Sequence, residues 1–119
     1  MQRKFHVDYD NENDSLFLYR AKSQGSVELN NMILDFDKNK DLVGLEILQA
    51  SRFLQDMNIS DVKIGKRMLD SIIDCRIDIK HQGGFLIIKF FLFFENKQEY
   101  AASFSVPSIK ESSPLAAEA

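Results

Sequence analysis

The feature that most constrains this chain is the segment FLIIKFFLFF, from Phe85 to Phe94, in which Lys89 alone interrupts a run of apolar side chains. It is half the length of a bilayer-spanning helix, which needs about 20 residues. Gly83-Gly84 stands directly before it, and a Gly-Gly pair between alternating segments is a two-residue hairpin signal. The run therefore reads as a strand. Leu86, Ile88, Phe90, Leu92 and Phe94 take one face, and Phe85, Ile87, Phe91 and Phe93 take the other. A strand that is apolar on both faces must be covered on both, because a bare patch of this kind is a liability for a monomer.

The neighbouring segments supply a register. Upstream, Ile73, Cys75, Ile77 and Ile79 alternate with Asp74, Arg76, Asp78 and Lys80. A turn at Gly83-Gly84 sets Ile79 against Ile88, Ile77 against Phe90 and Cys75 against Leu92, with Asp78 across from Lys89 as a favourable cross-strand pair. Downstream, a three-residue loop at Asn96-Lys97-Gln98 aligns Phe94 with Tyr100, Leu92 with Ala102 and Phe90 with Phe104, and Pro107 ends the last strand. The expectation is a three-stranded antiparallel meander over 72–106.

The first half alternates as well. Residues 4–9 and 15–20 flank the polar turn Asp10-Asn11-Glu12-Asn13-Asp14 and read as a hairpin. A short strand at 26–29 follows, then strands at 32–37 and 41–47 around Lys38-Asn39-Lys40. With Lys38-Asn39 as a two-residue turn, Leu34 faces Val43 and Met32 faces Leu45, apolar to apolar. The period then changes. Ala50, Phe53, Leu54 and Met57 are spaced as the stripe of an amphipathic helix, and a second short helical piece is expected over 66–71 with Met68, Leu69 and Ile72 turned inward. The second face of the Phe-rich strand then has two covers open to it, the helix at 49–57 or another copy of the chain.

At 119 residues the chain is one domain's worth. The reading is a single α+β domain over 1–110. It comprises an N-terminal antiparallel β-meander with its helix (1–58), then short helical structure and the C-terminal three-stranded antiparallel meander (59–110). A disordered tail is expected at 111–119. Fifteen Lys and Arg against eighteen Asp and Glu give a net charge of −3. No basic field is visible of the kind nucleic acid demands, nor a basic amphipathic face for a membrane surface. Cys75 is the only cysteine, so neither an internal disulfide nor a thiolate metal site can form. Met1-Gln2-Arg3-Lys4 leads straight into an alternating segment, without the features of a signal peptide. The cytoplasm is the expected compartment.

Candidate chemistry is sparse. Asp35, Asp37, Asn39 and Asp41 occupy positions 1, 3, 5 and 7 of a twelve-residue calcium loop, with Glu46 at 12. Position 6 is Lys40, where the sharp turn needs glycine and a cation would be repelled, and the flanks read as strands rather than helices. The plainer reading is an acidic hairpin turn. Asp8, Asp10, Glu12 and Asp14 repeat the theme, with Tyr19 in place of the terminal carboxylate. His6 and His81 read as ordinary exposed residues. Cys75 reads as core-facing, a small hydrophobe rather than a nucleophile. No catalytic residue and no cofactor are expected. Divalent-cation or acid–base chemistry at the acidic turns stays as an alternative.

Residues 7–51 carry a recognisable pattern: Tyr9-Asp10, Asp14-Ser15-Leu16, Ile33-Leu34-Asp35-Phe36-Asp37, and LVGLEILQAS from Leu42 to Ser51. In this the chain resembles the prokaryotic domain-of-unknown-function family numbered 2283. It departs from the family pattern at Phe36, Leu45 and Lys40, where the family often has Tyr, Ile and a turn glycine. The resemblance implies a small β-meander followed by a helix, with no established activity and no catalytic residues. Some members look like the small partner in toxin–antitoxin gene pairs. The residues themselves point to a non-enzymatic interaction module that self-associates as a homodimer or higher oligomer. Its expected interface is Phe85, Ile87, Phe91 and Phe93, with an antitoxin-like pairing to a small toxin as the alternative. No nucleic-acid or membrane partner is expected.

Overall fold

The structure, a computed structural model, describes residues 2–57 and 63–107. Eight strands and two short helices follow one another as β1 (Gln2–Asp10), β2 (Ser15–Tyr19), β3 (Gly25–Leu29), β4 (Met32–Phe36), β5 (Leu42–Ile47), α1 (Ala50–Asp56), α2 (Lys66–Leu69), β6 (Ile72–Gln82), β7 (Phe85–Phe94) and β8 (Glu99–Pro107). The expected elements are all present. The tail expected at 111–119 lies outside the described residues.

All eight strands join one antiparallel sheet in the order β3-β4-β5-β2-β1-β6-β7-β8. The C-terminal three are the meander the sequence predicts. The N-terminal five are not a plain meander, because β5 returns to pair with β2 and sends β3 to the edge. Burial explains the order. Leu16 and Leu18 of β2 are fully buried and need a partner on each side. β3 offers only Val27 and Leu29, each half-buried, and a short polar strand is suited to an edge.

β1 is the hinge of the sheet. Its second half, from His6 to Asp10, pairs with β2. Its first half, from Gln2 to Phe5, pairs with β6. The two halves of the sheet share a single apolar cluster, from Phe5, Leu18, Leu34 and Ile47 to Cys75, Ile77, Phe90 and Tyr100. The helices close this same inner side. Ala50 and Leu54 of α1 and Leu69 of α2 lie in the cluster, and the buried Tyr100 hydroxyl donates to the Leu54 carbonyl at 2.7 Å.

The β6–β7 register is the expected one, with Cys75, Ile77, Asp78 and Ile79 opposite Leu92, Phe90, Lys89 and Ile88. Two other hairpins slide by two residues. β4 and β5 place Leu34 opposite Leu45 and Met32 opposite Ile47. β7 and β8 place Leu92 opposite Tyr100 and Phe90 opposite Ala102. The net slide of two keeps Met32, Leu34, Leu45 and Ile47 on the expected core face, while the bulge brings Leu42, in place of the expected Val43, opposite Phe36 and into the cluster. Ile73 is an exception to the expected inward set. It falls at a register shift between Ile72 and Asp74 and is 63% exposed, as the extra residue of a bulge is free to be.

Candidate functional site

The outer face of β7 is where the sequence places an interface. Phe85 is 50% exposed, and Ile87, Phe91 and Phe93 are half-buried. None of the four belongs to the core cluster or to the side chains packed against it. Because α1 sits on the inner side, it is not their cover. Their neighbours within the sheet are Gln82, Lys80, Arg76 and Asp74 on β6 and Pro107, Ser105, Ala101 and Glu99 on β8. The alternate residues of β8, from Glu99 to Pro107, are exposed. Lys89, inside the apolar row, holds its ammonium 5.8 Å from the centre of the Phe91 ring, a cation–π distance. Arg76 makes a loose ion pair with Asp74 at 3.6 Å.

The acidic turn residues are not gathered about a common point. Asp37 Oδ1 accepts the backbone N–H groups of Asn39 at 2.8 Å and Asp41 at 3.0 Å, which is an Asx turn closing a hairpin loop. Asp35 lies on β4 and accepts the hydroxyls of Ser26 and Ser23. Glu46 lies on β5 and accepts the Ser15 hydroxyl at 3.1 Å. Among the described residues no group of three or more His, Cys, Asp or Glu side chains could hold a metal ion. Cys75 is fully buried, and burial, with Asp74 adding to it, pushes its thiol up to about 12.

The sequence reading treats Asp14 as one of several turn formers, and the structure gives it a larger part. Its carboxylate accepts the Tyr9 hydroxyl at 2.6 Å, the Ser51 hydroxyl at 2.7 Å, and the Ser51 N–H at 3.1 and 3.2 Å. Its carbonyl accepts the Ala50 N–H at 2.8 Å. Gln49, the residue before α1, makes no side-chain cap bond, so Asp14 caps the helix from across the chain, satisfying N–H groups that have no partner inside it. Burial alone would raise the Asp14 carboxyl. The hydrogen bonds from Tyr9 and Ser51 outweigh it and hold the carboxyl below its ordinary value. Burial and then the bond to Asp14 push the Tyr9 phenol well above its own. Tyr9, Asp14, Ala50 and Ser51 thus form a clasp that ties the first turn to the helix. Nothing local in the sequence links these four residues, so the clasp carries no signal there.

Among the described residues no helix is long and apolar enough to cross a membrane. The family described as "Protein of unknown function (DUF2283)" matches residues 6–51, which takes in every member of the clasp. An uncharacterized protein of Methanocaldococcus jannaschii is 49% identical over 51 residues, covering 41% of this chain and 44% of that protein. A Methanosarcina mazei protein named "Putative hypoxanthine phosphoribosyltransferase" is 44% identical over 46 residues, 37% of each chain. The chain thus spans less than half the length of either relative. No solved structure matches it significantly.

Proposed function

We propose that the chain is a non-enzymatic module that pairs with a second copy of itself through the outer face of β6, β7 and β8. The observation that carries the reading is the pattern on that face. Its rows run Asp74-Phe93-Glu99, Arg76-Phe91-Ala101, Asp78-Lys89-Ser103 and Lys80-Ile87-Ser105 across the three strands. A twofold axis perpendicular to the strands, between the second and third rows, makes this pattern its own complement. Asp74 meets Lys80 of the second copy, and Arg76 meets its Asp78. Lys89 meets the ring of its Phe91, and Phe93 meets its Ile87. An isologous interface demands such self-complementarity, and small Ala101 and Ser103 leave room beside the rings.

Sedimentation equilibrium tests the reading. The expected result is a dimer that Phe91→Asp plus Phe93→Asp converts to a folded monomer. Asp74→Lys alone weakens it, and Asp74→Lys with Lys80→Asp restores it, because the swap exchanges the two signs in both copies at once. A wild-type monomer at high concentration would sink the proposal. So would a dimer indifferent to the swap.

A further inference from the structure

The ladder leaves a gap where β1 changes partners. β2 ends at Tyr19, while β1 continues to Gln2 against β6 alone. Arg20 follows β2 and is held by its N–H bond to the Val43 carbonyl at 2.9 Å. A cleft of about 170 Å³ opens there, lined by Arg3, Arg20, Asp41, Leu42, Ile79 and His81. That is several times the share of one water, roughly 30 Å³. The Arg20 Nε is buried and has no hydrogen-bond partner. A donor of a charged group is costly to leave unmade. Asp41 borders the cleft without an ion pair to either arginine.

We propose that this cleft binds a phosphate group, as the free ion or as a phosphomonoester. Arg3 comes from β1, Arg20 from the end of β2 and His81 from β6. Three donor side chains from three segments match the three free oxygens of a phosphomonoester, where a carboxylate has two. A guanidinium such as that of Arg20 carries paired N–H donors of the kind that grip such an anion side-on. Leu42 and Ile79 give the cleft an apolar wall suited to the carbon skeleton of an ester. Asp41 opposes the anion and sets a ceiling on affinity. None of these residues stands out in the sequence, where His81 reads as exposed beside its turn, because the strand order alone brings them to one seam.

The test is an amide-resolved NMR titration of the full chain with inorganic phosphate, with glycerol phosphate and with acetate. Saturable shifts are expected at Arg3, Arg20, Asp41 and His81 with one or both phosphates, and weaker ones with acetate. Arg20→Gln should weaken binding at least tenfold, and Asp41→Asn should tighten it several-fold, a gain that a damaged fold cannot produce. Tighter binding of the ester assigns the cleft to a phosphomonoester, and equal binding assigns it to the free ion. Absence of saturation with both phosphates, acetate binding as tightly, or an Asp41→Asn variant no tighter than wild type would each overturn the proposal.

Discussion

Asp14 does its work with one carboxylate and a left-handed backbone, at φ 52°. Removing its charge keeps the shape and loses the strength of the bonds from Ser51 and Tyr9. Asp14→Asn should therefore cost about 1 kcal/mol, the difference between hydrogen bonds to a charged and to a neutral group, measured by urea denaturation at neutral pH. The sign of its pH dependence follows from the depressed carboxyl. Unfolding at low pH takes up a proton, so the stabilisation is present above the unfolded value of about 3.9 and is lost as pH falls through the folded one. Wild type and variant should converge in acid. Cys75 behaves the opposite way. Its raised thiol contributes stability that is complete below the unfolded value of about 8.5 and is lost as pH rises toward 12. Cys75→Ala should flatten that alkaline decline, read from melting temperatures across pH. Gly44 shows how far a single residue is legible. Its place in a buried strand predicts a close approach, but not what approaches. A Cβ there would stand 2.8 Å from Asp35 Oδ2 and 3.1 Å from the Asp35 Cβ. Gly44→Ala should thus destabilise by about 1–3 kcal/mol, as overpacking does.

At the scale of elements, alternation fixes which face a side chain takes, and loop chemistry fixes how far a strand slides. The two hairpins that moved by two residues moved for different reasons. Between β4 and β5 the loop is three residues, Lys38-Asn39-Lys40, closed by the Asp37 N–H to the Asp41 carbonyl at 3.0 Å. A bulge near Asp35 and Phe36 adds the second step. Between β7 and β8 the loop has the expected three residues but begins one earlier, at Glu95, with Phe94 bonded to Gln98. Both loops end on a lysine in the left-handed region, Lys40 at φ 68° and Lys97 at φ 69°. That position of a three-residue hairpin loop favours glycine, which is why a lysine there hides the loop from a sequence reading. It also gives a physical reason for the glycine common in the related family at Lys40. Lys40→Gly and Lys97→Gly should each stabilise by about 1 kcal/mol, the relief of the left-handed residue less the added chain entropy. Denaturant midpoints would check both, and a loss of stability would count against the left-handed assignment.

At the scale of the whole molecule, the two sheet halves are legible and their junction is not. Alternation says that β2, β5 and β6 each need neighbours, but it carries no information on which distant strand provides them. The β1–β6 and β2–β5 pairings join segments far apart in the chain, and only the complete inventory of apolar faces selects them. Phe5 stands at that junction. It is the last β1 residue paired with β6, opposite Cys75, and the next residue, His6, is already opposite Tyr19 on β2. Its side chain is 1% exposed within the shared core. Phe5→Ala removes a large buried ring and should cost about 3–5 kcal/mol. The location of the loss matters more than its size. With one core spanning both halves, hydrogen exchange should accelerate together in the β2–β5 and β6–β7 ladders, since amides that open in one cooperative unit share one free energy. Were the halves independent, Phe5→Ala would leave one ladder protected at its wild-type level, and the continuous sheet would then be two units that merely share a strand.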